Sequence, residues 1–212
     1  MSMRVTRSIA VIGACALWAA CSKGENKDDT AAADTSQAAA AATDTGAAAG
    51  GAQATPALSD ANIAAILDNA NAADSATGKI ASTKGTRADV KDFGRTMMRD
   101  HHALRKQGQD LVKKLKLTPE MPAGDTSAAA AKHWDDSLNA MPKGAAWDKA
   151  YIDHEVAAHE AVLQTLQTAE GAAQNAELKD LIKKATPNIQ AHLDKAKAVQ
   201  QKLNGSADTT KK

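Results

Sequence analysis

Four titratable residues stand where aliphatic ones belong. Ile63, Leu67, Ala70, Asp74, Thr77 and Ala81 follow one another at alternating spacings of four and three, which keeps side chains on one face of a helix. Asp74 lies on that face. The same rule sets His101 among Val90, Met97, Leu104 and Leu111, and His159 among Ile152, Val156, Leu163 and Leu166. It sets His192 among Ile182, Ile189, Val199 and Leu203. Each of four prospective helices thus turns one ionisable group toward the core. Such a group is costly to bury unless it is paired, so one per helix is a pattern and not noise. Three imidazoles and a carboxylate suit Zn, Fe or Cu. They equally suit a structural layer in which the histidines bond to one another, to Asp74 or to Tyr151. On the sequence both readings stay open.

Other chemistry is weaker. His154-Glu155 followed by His159 looks like the zinc-protease motif, but its histidines are five apart, not four. On a helix that turns them about 140° from each other, too far to share an ion. Glu155 stands four before His159 and can pair with it. A ferritin-type di-iron centre needs Glu three residues before each histidine. Met98, Val156 and Ile189 occupy those places, which disfavours iron oxidation at such a centre. His102, His133 and His154 are expected to face solvent, and Met97-Met98 to fill core space. No nucleophile elbow, phosphate loop or cysteine-based motif is present, so the expectation leans away from an enzyme.

The elements that must hold these residues are helices. The first starts at Ser59 or Asp60, both good caps, and breaks at Lys84-Gly85-Thr86. The second carries Val90 to Leu115. A long segment, Thr118 to Ala146, holds Pro119, Pro122, Pro142 and Gly144 and a short helix from Thr126 to Ala140. The third long helix opens with Trp147 and Tyr151, and a break at Gly171 to Asn175 precedes the fourth. Pro187 is expected to kink or restart that last helix with Thr186 as its cap. Two hairpins joined by one long crossover define an all-α, ferritin-like four-helix bundle, expected over residues 59–204 with a disordered tail at 205–212.

The N-terminus reads as an export signal. Arg4 and Arg7 precede an uncharged run from Ser8 to Ala20, too short for a bilayer span of ~20 residues and typical of a signal peptide. Leu17-Trp18-Ala19-Ala20-Cys21 resembles a lipobox, which implies acylation of Cys21 and a membrane anchor; ordinary cleavage near Ala20 would leave a soluble periplasmic protein. Ser22 after the cysteine points to the outer membrane, facing the periplasm. Residues 22–57 lack Leu, Ile, Val and aromatics, and cannot bury enough apolar surface to fold. As a coil they would reach on the order of 35 Å. With residues 1–20 removed, the basic count falls from 26 to 24 against 25 acidic. That balance and 2% aromatics exclude a nucleic-acid surface.

Val90-x-x-Phe93-x-x-x-Met97-x-x-Asp100-His101, Trp147-Asp148-x-x-Tyr151 with His159, Leu178-Lys179, and Pro187 with His192-Leu193 together resemble a bacterial family. Its members are exported ferritin-like proteins of unknown function, often labelled outer membrane proteins. The resemblance covers roughly Asp60 to Leu203 and implies the bundle, not a reaction. The chain departs from the family where Asp74 stands in place of a usual Glu. The leading expectation is a tethered, non-enzymatic bundle that binds a partner or serves stress tolerance; the alternative is a metal-binding or redox bundle. A membrane-surface module is third, for want of a basic face.

Overall fold

The computed structural model describes residues 58–208. The export signal, Cys21 and the tether fall outside the described residues. Those described form helices and no strand: α1 (Asp60–Lys84), α2 (Ala88–Leu115), α3 (Ser127–Ala140), α4 (Ala145–Ala172) and α5 (Ala176–Asp208). The last runs past the Asn204 boundary expected for the bundle. Among them no helix is long and apolar enough to cross a membrane.

The helix ends are fixed by side chains. Ser59 and Asn62 form a reciprocal capping box at α1, satisfying donors that the first turn leaves free. The start of α2 is capped from another helix: the Asp148 carboxylate of α4 accepts from the Thr86 and Arg87 amides at 2.8 and 2.9 Å. Asn175 Oδ1 accepts from the Glu177 and Leu178 amides to start α5. The Asp60 carboxylate takes the Gln174 and Asn175 amides and so ties the α4–α5 turn to α1.

Pro187 does not restart the last helix. It lies inside an unbroken α5, and the Thr186 hydroxyl donates back to the Ile182 carbonyl at 2.9 Å instead of capping. Proline removes one amide donor, leaving the Lys183 carbonyl without its partner. Pro187 and Lys183 are both exposed, on the side of the helix where a freed carbonyl costs least. Ile182 and Ile189, both buried, anchor the helix on either side.

α1 and α2 approach closely because Gly78 meets Gly94: a Cβ on Gly78 would come within 2.7 Å of the Gly94 carbonyl. The pairs Ser75–Met98, Asn71–His101 and Asp68–Arg105 climb one helix as they descend the other, so the two are antiparallel. The ion pairs Glu160–Lys197 and Glu170–Lys183 show the same for α4 and α5. Contacts of Thr96 and Asp100 with Lys195 and His192 set α5 antiparallel to α2. Those of Asp60 and Thr77 with Gln174 and Glu155 set α4 antiparallel to α1. α2 and α4 therefore run the same way, and the chain between them must travel back along the molecule. α3 does this beside α1, from Ser127 at Asn69 to Leu138 at Lys84.

The core has two apolar ends. One contains Phe93, Met97, Trp147, Tyr151 and Val199; the other contains Ile63, Leu166, Leu178, Ile182 and Ile189. Leu163, expected on the buried stripe, is only half-buried and packs at the edge of the second cluster.

Candidate functional site

The buried polar side chains include Asp74, His101, Glu155, His159 and His192. Each sits where its stripe changes from one apolar cluster to the other. The three imidazoles come together: ring centroids are 5.1 Å apart for His101–His192, 5.5 Å for His101–His159 and 5.6 Å for His159–His192. One nitrogen of each lies within 4.8 Å of one nitrogen of each other.

The hydrogen bonds around the rings fix their tautomers. His159 Nδ1 is 2.9 Å from the Glu155 carbonyl, which only accepts, so this nitrogen carries the proton. His192 Nε2 is 3.1 Å from Asp100 Oδ2. Burial raises the Asp100 carboxyl, but bonds from Arg99 and His192 outweigh it and hold it below its usual value; Asp100 accepts, and Nε2 donates. His101 Nδ1 is 3.0 Å from Asn71 Oδ1. The Asn71 amide nitrogen is committed to the Leu67 carbonyl at 2.7 Å, so its oxygen is what faces His101, and Nδ1 donates. All three rings have spent their N–H outward. The nitrogens that remain, His101 Nε2, His159 Nε2 and His192 Nδ1, are buried lone pairs with no hydrogen-bond partner.

The charge states favour those lone pairs. Burial, with repulsion from His159 and His192, drives the His101 pKa down to about 3. Burial takes His159 to about 4 against the pull of the Glu155 carbonyl. Burial lowers His192 too, with Asp100 opposing.

Asp74 falls outside the three-histidine group. Its carboxylate backs His101, with Oδ2 3.5 Å from Nδ1, and joins Glu155 and His159 in a second group of three. Burial lifts Asp74 to about 7. Burial, then the Asp74 charge, raises Glu155 well above its ordinary range. Glu155 takes the Thr77 hydroxyl at 3.3 Å, and its Oε2 lies 3.5 Å from His159 Nδ1, whose proton goes to the Glu155 backbone carbonyl. Tyr151 is buried beside it, and burial with the two carboxylates pushes its phenol pKa up.

The stripe rule did not find Asp100 and Asn71, which orient two of the rings. Each is one place or one neighbouring helix away from a histidine, and only the packing reveals the pairing. His102 and His133 are exposed as expected. His154 is not on the solvent face: it is half-buried and stacked on Trp134 at 4.1 Å, because the α3 crossover covers that side of α4.

These observations define a class, an all-helical protein whose core is interrupted by a layer of three imidazoles and two carboxyls. The chain belongs to the family described as Domain of unknown function (DUF4142), whose model matches residues 29–199. No curated protein and no solved structure matches it.

Proposed function

We propose that this chain is a ferritin-like four-helix bundle that binds one late first-row divalent metal ion, Zn or Fe being the candidates, on His101, His159 and His192. The up–down–down–up order of α1, α2, α4 and α5 supports the ferritin-like assignment, since it needs the long crossover that α3 provides. The observation that carries the metal reading is the set of three orphaned lone pairs. Acceptors cannot satisfy one another, and an unmade bond at a buried group costs about 1–3 kcal/mol. A purely structural layer would place a donor among them. A cation satisfies all three at once, and the outward carbonyl, carboxylate and amide partners are what metal-binding histidines use to fix their orientation. Imidazole ligands suit Zn, Cu, Fe and Ni.

The reading is of a binding module, not a catalyst. It takes the module to be exported and held at the outer membrane through an acylated Cys21, on the strength of Arg4, Arg7, the uncharged run to Ala20 and the polar segment that follows; mass spectrometry of the native N-terminus tests this part alone.

The untagged chain should retain about one equivalent of metal by elemental analysis. Its melting temperature should rise with added Zn²⁺, as expected for a ligand of the native state. His159→Ala and His192→Ala should each abolish the rise. A chain that holds no metal and melts identically with or without Zn²⁺ would refute the site.

A further inference from the structure

On the far side of the histidine layer the helices part. Val90, Phe93 and Met97 of α2 are buried, but Leu104, Leu111 and Val112 on the same stripe are only half-buried. With Leu67, Ile182 and Ile189 from the facing helices they enclose a cavity of about 560 Å³, inside the ~300–1,000 Å³ range of small-molecule sites. His101 and Asp74 close its inner end.

Three features choose the occupant. The lining is mostly aliphatic, with polar groups at its border, His101 at its inner end and no Phe, Tyr or Trp, so a large planar ligand finds little to stack on. The cavity follows α2 from His101 to Lys113, about 18 Å at ~1.5 Å per residue, which is the shape of an extended chain. Gly108 lies midway along it. A glycine inside a helix costs roughly 1 kcal/mol against alanine, and at Gly78 and Gly94 tight helix contact explains it. At Gly108, which lines the cavity, an added Cβ would meet nothing within 4 Å, so a larger side chain there would take up cavity space and displace no neighbour.

The outer edge supplies charge. Arg105, Gln109 and Lys113 recur every four residues along the cavity's border, on one side of α2. Arg105 spends Nε and Nη2 on the Asp68 carboxylate, both at 3.0 Å, and Gln109 bonds the same carboxylate, while Lys113 is exposed.

We propose that this cavity binds a long-chain fatty acid, its acyl tail lying against Leu104, Gly108 and Ile182 and its carboxylate at Lys113. This goes beyond the metal reading and does not depend on it. The test is titration of the full chain with the fluorescent fatty acid cis-parinarate, followed by displacement with palmitate or with methyl palmitate. Saturable binding and displacement by palmitate are expected, with the uncharged ester weaker. Gly108→Leu should fill the space and weaken binding by at least about tenfold while keeping or raising the melting temperature, because leucine is the better helix former. Gly171→Leu, at an exposed glycine outside the cavity with nothing within 4 Å, should leave binding unchanged. Lys113→Glu, also at an exposed position, should reduce the preference of the parent protein for acid over ester. No saturable signal, or equal affinity in Gly108→Leu and the parent, would overturn the site. An ester that binds as well as the acid would overturn the placement of the carboxylate.

Discussion

The buried titrating groups pull stability in opposite directions as pH changes. His101 and His159 stay neutral in the native state, with values of about 3 and about 4 against an ordinary 6.5. Below pH 6.5 the unfolded chain takes up protons that the native chain refuses, so their contribution to stability falls with pH until the folded values are passed. Asp74 works the other way. Its folded value is about 7 against 3.8, so its contribution is complete below 3.8 and is lost as pH rises through about 7. Asp74→Asn removes this second dependence and, with it, the part of the Glu155 rise that comes from the Asp74 charge, which acts in the same direction. In metal-free protein, denaturant unfolding at a series of pH values should show the variant losing less stability than the parent between about pH 4 and pH 8. Parallel curves would mean that Asp74 ionises as freely in the folded chain as in the unfolded one. Spacing alone singled out the three histidines and Asp74, because a 3.6-residue period records which face a residue occupies. It does not record rotation about χ angles or contacts from a neighbouring helix, so it could not show that Asn71 and Asp100 turn His101 and His192, nor that Asp74 stands behind the imidazoles.

Among the elements, the joins are more vulnerable than the helices. Asp148 is completely buried and accepts from the Thr86 hydroxyl as well as the two amides at the head of α2. Asp148→Ala would strand all three donors. A loss of about 1–3 kcal/mol is expected if one of them stays unsatisfied, measured by urea unfolding; a loss near zero would show that water replaces the carboxylate. Gly78→Ala should cost about 1–3 kcal/mol by overpacking the α1–α2 contact, since backbone atoms of α2 stand in the way of its Cβ. Ile182→Ala should cost ~2–5 kcal/mol. Leu163→Ala should cost less, because Leu163 is half-buried and its neighbours can close over the space. Helix limits were readable to within a few residues because Ser59, Gly85 and Asn175 are caps or breakers by chemistry. The restart expected at Pro187 is absent because local propensity says nothing of solvent: on the exposed side of a long, anchored helix the freed carbonyl is cheap.

Across the whole molecule, the polar layer divides a tightly packed end from a loosely packed one, and this should appear in the dynamics. α2 passes through both. Its first half carries Val90, Phe93 and Met97, all at 0% exposure, pressed against Trp147 and Tyr151. Its second half borders the cavity, and none of its residues from His102 to Leu115 is buried. Local opening costs least where few apolar groups are shielded. Amide hydrogen exchange on metal-free chain should therefore be faster over Leu104–Leu115 than over Val90–Met97, although both are helical and share one hydrogen-bond pattern. Two ligands should then act differently on that profile. A metal on His101, His159 and His192 joins α2, α4 and α5 at the boundary, so it should slow exchange on both sides of the layer, and the effect should vanish in His159→Ala. A fatty acid in the cavity shields only the loose half, so it should protect Leu104–Leu115 and leave Val90–Met97 unchanged. Uniform exchange along α2 would show that the two ends are equally stable and that the cavity closes in solution. Protection by fatty acid that extended equally to Val90–Met97 would show that the two halves unfold as one unit, with the histidine layer a continuous part of the core.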